Sequence, residues 1–218
     1  MKLYFYTLIL LASVALYSCA PDEPLKPVKP PFSSVYVGKI STYAVEEIHH
    51  DAFTRTTDTL NYRLRETVEE LYIDAAGDTA YKVRIDRSEI PENTWVFDQY
   101  AIEQQDVYGL ERIENDSRKV KLIYPVSDGK RWDVNLFNAE DPQYGYYQDV
   151  DQPYPTSDSM YPETVHVILA DQTDFIFSHI ETEIYARNTG LIKKEIIQTE
   201  TQPGKYKNGI EYTKIRIK

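Results

Sequence analysis

The chain has 218 residues, a formal net charge of −11 and a single cysteine. That acidity argues against a nucleic-acid partner, whose phosphates need a basic face. With one cysteine, intramolecular disulfides are impossible, so packing and hydrogen bonds must hold the fold.

The first residues carry an address. Lys2 precedes an apolar run from Leu3 to Tyr17, broken only by Thr7 and Ser13. A bilayer span needs about 20 apolar residues; this run is shorter and ends in Ser18, as a secretory signal does. Leu16-Tyr17-Ser18-Cys19 reads as a bacterial lipobox, which makes residues 1–18 a lipoprotein signal peptide and Cys19 the lipidated first residue of the mature chain. Each buried methylene contributes about 0.8 kcal/mol, and stable anchoring takes more than one chain. Thiol-linked diacylglycerol plus an amide-linked acyl group such as palmitate meets that need. Residues 19–32 form a linker, APDEPLKPVKPPF after the cysteine, with prolines at 21, 24, 27, 30 and 31. In polyproline II, at about 3.1 Å per residue, it reaches on the order of 40 Å. The expected location is the outer membrane, on either its periplasmic or its outward face.

Residues 33–218 are expected to form a single β-rich domain. Apolar and charged residues alternate in Tyr81-Lys82-Val83-Arg84-Ile85-Asp86, around Val120, Leu122 and Tyr124, and around Trp132, Val134 and Leu136. A period of two marks half-buried strands. Asp128-Gly129 between two such runs predicts a hairpin, because the turn needs the positive φ that glycine adopts freely. Gly77 and Gly190 occupy similar places. The pattern predicts about eleven strands, at roughly 35–48, 58–73, 79–87, 94–107, 117–125, 130–138, 143–149, 163–170, 174–187, 190–201 and 209–217. Long strands bend, so the expected fold is all-β: one antiparallel, strongly curved sheet, either a half-barrel or a lipocalin-like barrel, with a sandwich as the alternative. The apolar parity of 58–73 switches, which places a bulge near Val68–Glu70.

Chemistry is sparse. His49 and His50 are adjacent and point to opposite faces of a strand, and His166 and His179 lie on separate strands with no fixed carboxylate spacing. No nucleophile elbow, zinc-protease, P-loop or dinucleotide motif occurs, so the expectation is a non-enzyme without a cofactor. Segment 138–161 is the least generic, with Tyr144, Tyr146, Tyr147, Tyr154 and Tyr161 beside Asp149, Asp151 and Asp158. Rings for stacking and oxygens for hydroxyls are what a sugar-binding surface uses. A Tyr-rich strand followed by a Pro-ordered loop is the plainer alternative. Trp95, Phe97, Trp132, Phe175 and Phe177 read as an aromatic inner face. The candidate contact set for an apolar ligand or a glycan is therefore Trp95, Trp132, Tyr144, Tyr146, Tyr147 and Tyr154. Asp58-Thr59-Leu60, Asp78-Thr79-Ala80 and Asp158-Ser159-Met160 resemble the acceptor motif for periplasmic O-glycosylation in Bacteroidetes-type bacteria, which marks Thr59, Thr79 and Ser159.

The stretches YAVEEIHHD, LYIDAAGDTAYKVRIDRS, GKRWDVNLFN and EIYARNTGLIKKEIIQTET occur in the order of a lipoprotein family of Bacteroidetes-type bacteria, which the chain resembles over nearly all of the mature domain. The hairpin from Tyr185 to Ile192 is its most recognisable piece. Relatives often carry Trp-Asn-Gly where this chain has Trp132-Asp133-Val134. The resemblance implies the strands and the lipobox and carries no activity. Two functions are expected from these features: an anchored carrier of an apolar or amphiphilic ligand on a curved sheet, or a tethered module that binds an envelope protein or a surface glycan.

Overall fold

The computed structural model describes residues 29, 31–92 and 94–218. The expected signal segment, Cys19 and nearly all of the expected linker lie outside these described residues. Residues 31–218 form one compact unit.

That unit is all-β. Its strands are β1 (Ile40–Asp51), β2 (Thr56–Ile73), β3 (Thr79–Glu89), β4 (Val96–Gln105), β5 (Gly109–Glu114), β6 (Ser117–Ile123), β7 (Arg131–Asp133), β8 (Tyr144–Pro155), β9 (Met160–Thr173), β10 (Phe177–Ala186), β11 (Gly190–Glu200) and β12 (Asn208–Ile217). All join one antiparallel sheet in the order β6-β5-β4-β3-β2-β1-β12-β11-β10-β9-β8-β7. The terminal strands pair with each other, from Thr42 opposite Ile217 to His50 opposite Gly209. The sheet is therefore a nearly closed barrel whose one unsealed seam lies mid-chain, between β6 and β7. The single curved sheet is as expected, and the sandwich is set aside.

The strand pattern is also close to expectation. The register of β2 against β3 shifts between Val68 and Glu70, at the expected bulge. Gly77 and Gly190 sit at φ +91° and +89° in their turns. Two features differ. β5 is an additional strand, and the Asp128-Gly129 turn does not make β6 and β7 a ladder. Gly129 N–H donates to the Tyr147 carbonyl at 2.8 Å, and Tyr147 N–H to the Lys130 carbonyl at 3.2 Å. The turn thus delivers the chain to β8 rather than back onto β6, and β7 shortens to three residues.

Residues 31–39 close one end of the barrel. Phe32 is 1% exposed and packs in the main core with Leu110, Leu122, Trp132, Tyr147, Val165 and Val167. The Arg187 guanidinium covers its ring at 3.9 Å. Asn188 N–H donates to the Pro31 carbonyl at 3.0 Å, and Gly38 N–H to the Val68 carbonyl at 2.8 Å. Lys39 Nζ donates to the carbonyls of Ser34 and Thr189. This is the entry end, where β1 starts. At the far end stand the turns 52–55, 174–176 and 201–207, which join β1 to β2, β9 to β10 and β11 to β12.

Candidate functional site

The middle of the barrel is charged. Arg112 on β5 reaches three carboxylates: Glu66 at 2.9 Å, Glu103 at 2.7 Å and Glu114 at 2.7 Å. Lys214 on β12 meets the same Glu66 at 2.7 Å. Lys121 on β6 meets Glu183 on β10 at 2.7 Å, with Lys194 at 3.5 Å and the Tyr185 hydroxyl donating at 2.6 Å. Burial alone would raise the Glu66 carboxyl, but Arg112 and Lys214 outweigh it and hold its pKa at about 2. Burial is likewise overcome at Glu183, where Lys121 and Lys194 keep the carboxylate ionised. Charges this deep persist only because each has its counter-charge within reach.

Two spaces lie among these groups, of about 80 Å³ and about 150 Å³, whereas small-molecule sites are typically ~300–1,000 Å³ and mostly apolar. Each is smaller than such sites and lined by charge. The expected aromatic inner face is not there. Of its five members only Trp132 lies in the core; Phe97, Phe177 and Phe175 are 45%, 55% and 99% exposed. Trp95 is half-buried and lies 4.6 Å from the Arg65 guanidinium. The middle of the barrel is lined by paired charges at other positions, and not by an aromatic face.

The candidate contact residues separate into four places. Trp132 and Tyr147 stack in the core with ring centroids 4.6 Å apart. Tyr154 meets His166 edge-on at 5.5 Å and packs on a separate cluster of Ile184, Ala186 and Ile192. Trp95 is apart from both. Tyr144 and Tyr146 alone come together at a surface, because residues two apart on a strand share a face. Tyr147, between Tyr146 and Gln148, points the other way. Of the acceptor-like residues, Thr59 is exposed in β2, Thr79 is half-buried at the start of β3, and half-buried Ser159 donates its N–H to Thr156 Oγ1 at 3.2 Å.

Tyr144 and Tyr146 line an open groove of about 670 Å³ with Arg131, His179, Glu181 and Gln198. Tyr144 is 64% exposed. The Arg131 guanidinium lies 5.4 Å from the Tyr146 ring centre. Gln143 Nε2 donates to Glu181 Oε2 at 3.4 Å, and Gln198 Nε2 pairs with His179 Nε2 at 3.2 Å. The groove runs along the free margin of β9, since β8 pairs with β9 only up to Tyr146 opposite Ile168. It offers ring faces on one side and amide, imidazole and carboxylate groups on the other. Sequence reading found the two tyrosines and missed His179, Glu181 and Gln198. Their signal was the polar parity of β10 and β11, which on alternation alone reads as a solvent face.

The remaining histidines have local partners. His49 Nε2 lies 2.6 Å from Glu47 and His50 Nε2 lies 3.0 Å from Glu211.

No protein-family model matches the chain, and no curated protein matches it. A crystal structure of a "putative lipoprotein" from Parabacteroides distasonis is similar over 87% of this chain and 98% of that one, at 10% sequence identity and a TM-score of 0.37. So loose a likeness carries nothing over to this chain.

Proposed function

We propose that the protein is a lipid-anchored, non-catalytic binding module of the bacterial envelope, held in the outer membrane through Cys19, and that it receives a glycan in the Tyr144–Tyr146 groove. The observation that carries the ligand is the pairing of two same-face tyrosines with His179, Glu181 and Gln198 across an open groove. Tyrosine combines a large apolar face with a polar tip. Sugars present both C–H faces and hydroxyls, and this lining answers both. The anchor rests on the apolar run, the lipobox-like Cys19, the Pro-rich linker and the resemblance to lipoproteins of Bacteroidetes-type bacteria.

The purified 31–218 unit, screened on a glycan array, is expected to retain a defined subset of glycans. Tyr144→Ala and Tyr146→Ala should each weaken retention about tenfold, equivalent to about 1.4 kcal/mol. No retained glycan, or variants that bind like the parent, overturns the reading. For the anchor, Cys19→Ser should move the protein from the membrane pellet to the soluble fraction, and an unchanged pellet refutes it.

A peptide partner is the second reading. Residues 169–173 of β9 have no ladder partner on the β8 side, and an open strand margin accepts an added strand. Recovery of one envelope protein, lost on replacing residues 170–172 with proline, would favour it.

A further inference from the structure

We infer that the binding surface is a continuous tract across the far end of the barrel, and that its ligand is a linear, uncharged oligosaccharide rather than a single sugar. This rests on the glycan reading above and extends it.

Three depressions share walls. The Tyr144–Tyr146 groove shares His179 and Gln198 with a second one of about 260 Å³. The second shares Glu200 and Asn208 with a third of about 740 Å³, which lies between the turns 52–55 and 201–207. Strand pairing joins the second and third depressions, because directly paired residues stand on one face; the first meets them around the free margin of β9, since Tyr146 pairs with Ile168 and Ile168 with Thr182, on the face opposite His179 and Glu181. His179 pairs with Gln198, Phe177 with Glu200, and Glu200 with Asn208. The tract crosses from β8 to β1, five inter-strand spacings, or roughly 24 Å at ~4.8 Å each.

Each stage supplies a ring. Tyr144 and Tyr146 begin the tract, Phe177 lies at its middle, and Phe53 and Tyr206 end it at 95% and 55% exposure. The same device appears at both ends: Arg131 lies 5.4 Å from the Tyr146 ring, and Arg55 lies 5.2 Å from the Tyr206 ring. Turn carboxylates fix the backbone that carries Phe53 and Phe177. Asp51 Oδ1 accepts the Phe53 N–H at 2.7 Å, and Asp174 Oδ1 accepts the Phe177 N–H at 2.7 Å.

The chemistry between the rings selects the ligand class. An acyl chain laid along the tract would strip water from Gln198, His179, Glu200 and Asn208, whose bonds to each other and to Gln202 and Ala52 use only part of their polar atoms, and that is costly. A chain of hydroxyls satisfies them. Arg131, Arg55 and Lys205 stand beside Glu181, Asp171, Glu200 and Asp51, three bases to four acids, so no strong charge of either sign is presented. A single-sugar site, by contrast, gives Phe177, Phe53 and Tyr206 nothing to touch.

The test titrates the 31–218 unit by calorimetry with cello-, manno- and chito-oligosaccharide ladders, from monosaccharide to hexasaccharide. Affinity for at least one ladder is expected to climb tenfold or more between disaccharide and hexasaccharide. Phe53→Ala combined with Tyr206→Ala should lower hexasaccharide affinity about tenfold and leave the disaccharide unchanged. Tyr144→Ala should lower both. Both far residues lie on exposed turns, and an unchanged melting temperature verifies that the double variant is folded. Affinity that stops rising at the disaccharide, or a double variant that binds hexasaccharide like the parent, overturns the tract and leaves the first groove standing. No binding in any ladder overturns the tract and the groove together.

Discussion

The Tyr147 hydroxyl makes two hydrogen bonds to one residue across the seam of the barrel: it donates to the Ile123 carbonyl at 2.9 Å and accepts the Ile123 N–H at 2.7 Å. Other groups satisfy the rest of this edge. Trp132 Nε1 donates to the Val120 carbonyl at 2.9 Å, Asn138 Nδ2 to the Arg118 carbonyl at 2.7 Å, and Val120 N–H to the Val134 carbonyl at 2.9 Å. An open strand edge is a template for unwanted pairing. Here groups from β7, β8 and the loop between them do what a twelfth strand pairing would otherwise do, and the seam stays unlike the rest of the sheet.

Tyr147→Phe removes one oxygen and keeps the ring against Trp132. It leaves the N–H and C=O of half-buried Ile123 without this partner, which costs about 1–3 kcal/mol. Burial also pushes the Tyr147 hydroxyl pKa upward, so the proton it donates is present at every working pH. The expected outcome is a lower urea midpoint with an unchanged slope, together with faster amide exchange at Ile123 and none of that acceleration in β1. Equal stability of the two proteins would mean that the seam does not depend on this hydroxyl.

The interior ion network makes the fold acid-labile. The folded pKa of Glu66 is depressed to about 2, from about 4.3 in an unfolded chain. A depressed carboxyl contributes stability above its unfolded pKa and loses it as pH falls toward the folded one. The window is therefore about pH 4.5 down to about pH 2, and the contribution at neutral pH is on the order of 3 kcal/mol. Glu183 acts in the same direction through Lys121 and Lys194. Unfolding midpoints measured from pH 7 to pH 2 should fall steeply over that window. Glu66→Gln should lower stability at pH 7 and flatten the fall, since the variant has one fewer proton to take up. A parallel pH profile for the variant would place the acid sensitivity elsewhere.

The all-β architecture was legible because half-buried strands must alternate, and the Val68–Glu70 bulge because parity switches within one run. What alternation conceals is which face holds charge. Val120 and Leu122 read as inward, and both are buried, yet Lys121 between them also lines the central cavity. The register of β6 on β5 passes from Leu122 to Val120 and leaves Lys121 unpaired, as a bulge. A bulge inserts one residue and defeats the period of two. In the same way Glu66, Glu183 and Lys214 obey the period but sit on the buried side, where their partners lie far away in sequence. The seam was illegible for a different reason. Asp128-Gly129 has the local chemistry of a hairpin turn, and only the distant Tyr147 decides which strand the turn feeds. Of the candidate site, exposed Tyr144 and half-buried Tyr146 were readable from composition. His179 and Gln198 are brought to them by the pairing of β9, β10 and β11, which no single segment encodes.

Phe32 pins the stretch ahead of β1 to the core. Its ring is 1% exposed, lies under Arg187 at 3.9 Å and shares the core with Trp132 and Tyr147. The flanking backbone is held by Asn188 and Val68 rather than by a sheet ladder, so the ring itself fastens residues 31–39 over the entry end. Truncating a buried phenylalanine to alanine costs about 3–5 kcal/mol when the site cannot collapse. Phe32→Ala should lower the unfolding free energy by that amount. Tyr36→Ala, four positions on and 58% exposed, should stay within about 0.5 kcal/mol of the parent. Limited proteolysis gives the structural readout: the parent is expected to resist cutting within 33–39, and the Phe32→Ala chain to be cut there. If the variant resists cutting there and melts with the parent, the entry end is held by its hydrogen bonds, and the ring is not the fastener.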